Sequence, residues 1–251
     1  MNASNQKWVL IVGASSAIGR ALARRFAASH YSLLLAARDL EDLTHTATDL
    51  QVRHQVEVRT IEFNATEVQN HGSFWNKCRE LSDGKLEGVI LLQGFLPVQS
   101  EVQRDLTLLQ QTITINYTSP SALLTLTANH FEPLRKGFLV AVSSVAGDRG
   151  RQSNYAYGSA KAALTTFMQG LRQRLAKSNV TVLTVKPGFV DTAMTWGLPG
   201  MFLVASPDRV ANDIFKAIRR RRNEIYTPWF WRYIMLIIRH IPTFIFNRLK
   251  L

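Results

Sequence analysis

Tyr157 and Lys161 stand four residues apart, a spacing that places both on one face of a helix. A free phenol loses its proton near pH 10, too high for efficient transfer at neutrality. A neighbouring ammonium stabilises the phenolate, and lowering the phenol by about three units would take roughly 4 kcal/mol of differential interaction. Of the six tyrosines only Tyr157 has a lysine at that spacing; Tyr155 meets Ser159 instead. Ser144, thirteen residues before Tyr157, ends an apolar run. A hydroxyl there could hold a carbonyl oxygen while Tyr157 supplies a proton. The plainer reading of Ser143 and Ser144 is a turn serine bonded to nearby backbone.

A second group suits phosphate. Gly13-Ala14-Ser15-Ser16-Ala17-Ile18-Gly19 follows an apolar run and opens a helical pattern. A glycine at such a turn lets the backbone approach a pyrophosphate, and the helix N-terminus offers free N–H groups and a positive dipole end. Gly19 allows close helix–strand packing. After the next apolar run comes Ala37-Arg38-Asp39. An acidic residue there favours NAD through the ribose 2′-hydroxyl, and an arginine favours NADP through the 2′-phosphate. Both are present. Asp39 is also explained as a helix cap, so Arg38 tips the reading toward NADP(H) over NAD(H). The bland alternative for Arg38 is a solvated loop charge.

The elements that must hold these residues read as alternating strands and helices. Strands are expected at Trp8–Val12, Tyr31–Ala37, Val56–Ile61, Leu86–Leu92, Gly137–Ser143, Val180–Lys186 and near Ile225–Thr227. Helices are expected at Ala17–Ser29, after Asp39, along one long region from Asp105 to Phe131, at Tyr155–Lys177 and at Pro207–Arg221. Short apolar runs bounded by Gly and Pro, with helices between, predict an α/β, Rossmann-type, doubly wound parallel sheet covered on both faces, with ligands beyond the carboxyl ends of the strands.

In that order the chain resembles the short-chain dehydrogenase/reductase family over nearly its whole length. Gly13–Gly19 looks like the family's glycine motif, which implies cofactor contacts at Gly13, Ser15, Ser16, Ile18 and Gly19. Ser144, Tyr157 and Lys161 match its catalytic Ser and Tyr-x-x-x-Lys. Asn116 falls where the family has a helix Asn, implying a proton-relay water. Pro187-Gly188-Phe189-Val190-Asp191-Thr192 looks like its Pro-Gly motif, implying nicotinamide contacts at Pro187, Gly188, Val190 and Thr192. Asn64 sits where the family often has an Asp against the adenine. There are departures: the middle glycine of the turn is Ala17, and the family's Asn-Asn-Ala-Gly is Leu91-Leu92-Gln93-Gly94, where only Gly94 matches. The resemblance implies an NAD(P)-dependent interconversion of a secondary alcohol and a ketone, by a homo-oligomer.

Composition bounds the setting. The chain has 251 residues, 46% of them hydrophobic and 19% charged, enough for one sizeable core. The single cysteine, Cys78, excludes an intramolecular disulfide and fits a reducing compartment. The polar N-terminus and the brief run Trp8–Val12 do not suit a secretory signal, and no stretch is long enough to span a bilayer. The expected place is the cytoplasm, peripheral at the inner membrane. No metal site is expected.

The net charge of +12 is concentrated at the end, where residues 216–251 carry nine basic side chains and one acidic. Residues 1–228 read as the catalytic domain and 229–251 as a basic aromatic segment. Trp229-Phe230-Trp231-Arg232-Tyr233 and the following Ile/Leu run suit a helix lying in an anionic membrane interface. The same segment also suits packing on the protein's own core or across a dimer. It does not suit nucleic acid, because a packed Ile/Leu/Phe surface reads neither phosphates nor bases. Pro187–Thr195, Ser206-Pro207 and the Trp/Arg-rich end are similar to the bacterial decaprenylphosphoryl-2-keto-ribose reductase branch, implying a lipid-linked keto-sugar substrate. The stretch from Thr192 to Ala205, with Met194, Trp196, Leu198, Met201 and Phe202, is the expected lid. It equally suits a steroid, retinoid or acyl ketone. A non-catalytic NADP(H)-binding regulator is the rival from another class.

Overall fold

Trp8–Val12 (β1) is apolar and buried at every position, as a strand covered on both faces must be. The computed structural model describes residues 7–197 and 200–249; Leu198 of the expected lid and Lys250 of the tail lie outside them. β1 is joined by β2 (Ser32–Ala37), β3 (Val58–Glu62), β4 (Leu86–Leu91), β5 (Phe138–Val142), β6 (Thr181–Pro187) and β7 (Glu224–Thr227). All pairings are parallel, in the order β3-β2-β1-β4-β5-β6-β7. The strand order reverses at β1, where β4 takes its free side. That switch opens a crevice at the carboxyl edge.

One face of the sheet is covered by α1 (Ala17–Ala27), α2 (Leu40–His54) and α8 (Pro207–Arg219), the other by α3 (His71–Leu81), α6 (Ser119–Leu134) and α7 (Tyr155–Leu175). Caps fix where the first set begins. Ser16, Asp39 and Ser206 each accept a backbone N–H of the first turn of α1, α2 and α8. The expected doubly wound sheet is therefore present, with strand ends one or two residues from expectation.

Three differences matter. The helix α3 and the short α4 (Gln99–Val102) were not expected from the sequence. The long helical region expected from Asp105 to Phe131 is present and continuous but not uniform: α5 (Leu106–Ile113) and α6 are joined by a wide π turn at Thr114–Thr118. Pro120 is the physical reason: it has no N–H to give the carbonyl four residues back, at Asn116, so the regular ladder breaks there. Beyond β7, α9 (Trp231–His240) and α10 (Thr243–Phe246) close the chain.

Candidate active site

The carboxyl edge collects the expected residues. Gly13 leaves β1 with φ +85°, a conformation that a side chain rarely adopts, and a Cβ on it would press on Leu92 and Gln93 at 3.2 Å. The Ser16 hydroxyl donates to the Gly13 carbonyl at 2.7 Å and accepts the Gly19 N–H at 3.1 Å, which folds the turn onto the start of α1. Ala17 is simply the first helical residue, so the absent glycine demands no special backbone. Arg20 donates to the Ser15 carbonyl at 3.1 Å and pairs with Asp42 at 2.5 Å, tying the turn to α2. At the end of β2, Arg38 is exposed while Asp39 is occupied as the cap of α2. Asn64 lies just past the paired end of β3, where its side chain holds a tight turn with Thr66 and Glu67.

Past β4, Gly94 packs closely beneath three side chains. A Cβ there would lie 3.6 Å from Asn116 Oδ1, 3.7 Å from Lys161 Nζ and 3.2 Å from Met194 Cε. Asn116 is buried in the π turn. Its Nδ2 donates to the carbonyls of Phe95 at 2.7 Å and Thr112 at 2.9 Å, and its Oδ1 accepts the Phe95 N–H at 3.1 Å. The side chain thus pins the loop after β4 beside Lys161.

Ser143 and Ser144 divide the two roles the sequence left open. Ser143 is buried and bonds the Lys161 carbonyl and the Thr165 hydroxyl, both at 2.8 Å, locking α7 onto β5. Ser144 caps the following turn, accepting the Ala146 N–H at 3.1 Å, and hydrogen-bonds Tyr157. Lys161 lies inside the fold, its Nζ donating to the Val142 carbonyl at 3.0 Å and standing 5.6 Å from the Tyr157 ring centre.

The electrostatics reverse one expectation. Burial pushes the Tyr157 phenol up to about 12, and the hydrogen bond with Ser144 only offsets part of that. Burial brings Lys161 down to about 7. Burial acts on both groups in the same sense, disfavouring the phenolate and the ammonium. The phenol is held protonated at neutral pH, ready to give a proton, beside an amine close to its titration point.

The Pro-Gly segment follows β6. Gly188 donates its N–H to the Thr227 carbonyl at 3.1 Å, and Val190 is buried in the core, bridged to Ala205. Thr192 meets the Thr195 hydroxyl at 3.2 Å, shaping the start of the lid. The turn at Gly13, the N-terminus of α1, the loop at Gly94 and the Gly188 segment all lie at the carboxyl edge of the sheet, where open α/β sheets receive their ligands.

Four contacts around this site were not foreseen. Trp231 of α9 packs against Gly188, with Phe189 and Phe202 rings at 5.7 and 5.3 Å. Arg149 donates to the carbonyls of Ile238, Arg239 and Ile241. Gln99 accepts the Ala156 N–H at the start of α7. Lys186 pairs with Asp148 at 2.9 Å. Each joins segments far apart in sequence, which no local spacing announces.

Residues 7–200 match the model of the short chain dehydrogenase family. An uncharacterized oxidoreductase of Mycobacterium tuberculosis is 34% identical over 241 residues, 96% of each chain. One from Streptomyces coelicolor is 33% identical over 245 residues, 96% of this chain and 95% of the other. Among solved structures, a short-chain dehydrogenase from Sphingobium yanoikuyae in complex with NADPH is 26% identical, with TM-score 0.78, covering 94% of this chain and 97% of its own. The bulky-bulky ketone specific alcohol dehydrogenase from Comamonas testosteroni shares the fold at TM-score 0.81 and 24% identity, covering 96% of both chains.

Proposed function

This chain belongs to the short-chain dehydrogenase family of oxidoreductases, and on that premise we propose that it is an NADPH-dependent reductase of a lipophilic ketone. The observation that carries the reading is the Ser144–Tyr157 hydroxyl pair at the end of β5, with the phenol protonated and Lys161 buried behind it. NADPH, when bound at this edge, supplies the hydride. The chain's own work is placement and acid–base chemistry. Ser144 and Tyr157 receive the ketone oxygen, and Tyr157 gives its proton as negative charge develops there. Lys161, near 7, exchanges protons readily at neutral pH. Gly13, Ser15, Ser16, Ile18 and Gly19 hold the pyrophosphate, and Arg38 the 2′-phosphate. Asn64 meets the adenine, and Pro187, Gly188, Val190 and Thr192 wall the nicotinamide. Asn116 holds the loop that carries Gly94.

The substrate side supports a lipophilic carbonyl. Met194, Trp196 and Phe202 of the lid are exposed beside the site, a setting that favours an apolar group. A lipid-linked keto-sugar combines such a group with a secondary alcohol–ketone centre, and a substrate of that kind is met at a membrane surface. Replacing Tyr157 with Phe removes the proton donor and leaves the cofactor edge intact. Turnover of a ketone panel should fall by at least about a thousandfold, with NADPH binding by fluorescence unchanged. Undiminished turnover refutes the assignment.

A further inference from the structure

The C-terminal helix has two faces with different fates. Trp231 and Met235 are buried, sharing a small core with Val145 of the turn that Ser144 begins. Arg149 holds the carboxyl end of α9 at the carbonyls of Ile238 and Ile241, at 2.7 and 2.6 Å. The helix is therefore a fixed fin on the catalytic domain, and its orientation relative to the active-site mouth is set. The opposite face points outward, with Tyr233, Leu236 and Ile237 exposed, and Phe244 of α10 is exposed beyond them. Trp229, also exposed, rests its ring against Tyr233 at 6.0 Å. Contiguous apolar exposure of this kind marks a contact surface.

The charge beside it decides the partner. A groove of about 600 Å³ brings Arg220, Arg221 and Arg222 together with Trp229 and Arg232 at the amino end of α9. Arg232 and Arg239 border the outer face and are exposed. Bulky apolar and aromatic side chains rimmed by arginines are complementary to acyl chains under anionic headgroups. They are less suited to a second copy, because a two-fold contact would bring the same arginine-rich patch in from both partners and add like charge to like charge. The helix has 10 residues and no described helix is long and apolar enough to cross a membrane, so the fit is to lying on a bilayer.

We propose that the outer face of α9 and α10, with the basic groove at Arg220–Arg222, seats the protein on an anionic phospholipid bilayer. The lid belongs to the same region. Phe202 packs on the inner side of α9 through Trp231 at 5.3 Å, and its neighbours Leu203 and Val204 are exposed. Seating would hold the lid at the lipid surface, where a lipid-anchored ketone enters. The contact stands on the surface itself and rests on the reductase reading only for its use.

The test is flotation of the full chain with vesicles of phosphatidylcholine alone and of phosphatidylcholine mixed with phosphatidylglycerol. The chain should bind the mixed vesicles, bind the neutral ones far less, and release as salt is raised. The Leu236→Ser/Ile237→Ser variant, altered only on the exposed face, should bind about tenfold or more weakly, as should Arg220→Gln/Arg221→Gln/Arg222→Gln. Both should keep the wild-type circular dichroism and turnover of a water-soluble ketone. Equal flotation with both vesicle types, or full flotation of the serine variant, overturns the proposal. So does a wild-type dimer that the serine variant splits without loss of vesicle binding, which would assign the face to a second copy. Ketone turnover without vesicle binding defeats this proposal alone; vesicle binding without turnover defeats only the reductase reading.

Discussion

Trp231 occupies the space that a side chain on Gly188 would need: a Cβ at residue 188 would come within 2.0 Å of the indole. The segment after β6 and the C-terminal helix are thus built as one piece. Their contact explains why residue 188 has no side chain, independently of any ligand.

Gly188→Ala should therefore destabilise the protein by about 1–3 kcal/mol, the range for overpacking a close contact. Trp231→Ala should cost about 3–5 kcal/mol by leaving a cavity. In the double variant the alanine methyl enters space the indole has left, so the two costs should be strongly non-additive. Urea unfolding of the four proteins measures this. Simple additivity would show that the two residues do not meet.

Lys161 gives the stability a pH dependence of known sign. Its amine titrates near 7 in the folded chain and has an ordinary value of 10.5. Between those values the unfolded chain binds the extra proton, so stability rises with pH from about 7 to about 10.5. The Val142 carbonyl at 3.0 Å is too little to offset burial of an ammonium. Lys161→Met should remove this rise and stabilise the cofactor-free protein at pH 6.5 by roughly 2 kcal/mol or more, while abolishing turnover. Denaturant melts from pH 6 to 10 test it; an unchanged slope in the variant refutes the buried amine.

The sheet and the catalytic group were legible because their signals are local. β1, β5 and β6 are short apolar runs that end at Gly, Ser or Pro, and Tyr157 to Lys161 is one helical turn. The π turn at Asn116 was legible in principle, since Pro120 stands four residues on. α3 was hidden because His71-Gly72-Ser73 begins it with weak helix formers. The side of α9 that faces inward was not legible at all. Most of that helix is apolar, and contacts distant in sequence decide which residues are buried: Trp231 on Gly188, forty-three residues earlier, and Met235 in the cluster with Val145.

Lys186 and Asp148 form an ion pair with side chains only 5% and 4% exposed, joined by Glu224 at 3.1 Å and by the Tyr226 hydroxyl, which donates to Asp148 at 2.8 Å. Burial alone would lower the Lys186 amine, but the bond and charge of Asp148, with Glu224 and Tyr226, raise it overall. The pair ties the turn after Ser144 to the strand that delivers Pro187. Lys186→Met, which strands a buried carboxylate, should cost about 3–5 kcal/mol. Adding Asp148→Leu should recover much of that. If the pair also positions Ser144, the double variant should refold yet turn over at least about tenfold more slowly, a loss of about 1.4 kcal/mol in transition-state binding. Full recovery of both stability and turnover would leave it a purely structural tie.

On the proposed reading, Arg38 should separate the two cofactors in a single measurement. Asp39 is committed to the first turn of α2, accepting the Asp42 N–H at 3.1 Å, so its carboxylate has a partner other than a ribose hydroxyl. Arg38 is the exposed cation one residue earlier, at the end of β2. A guanidinium on a 2′-phosphate makes charge-assisted bonds worth about 1.5–3 kcal/mol. Arg38→Gln should accordingly weaken NADPH binding by about 10- to 150-fold and leave NADH binding within about twofold, since NADH has no group for Arg38 to hold. Fluorescence titration of both cofactors against both proteins decides it. Equal weakening of the two, or tighter binding of NADH than of NADPH by the wild-type chain, would move the preference to NAD and return Arg38 to an ordinary loop charge.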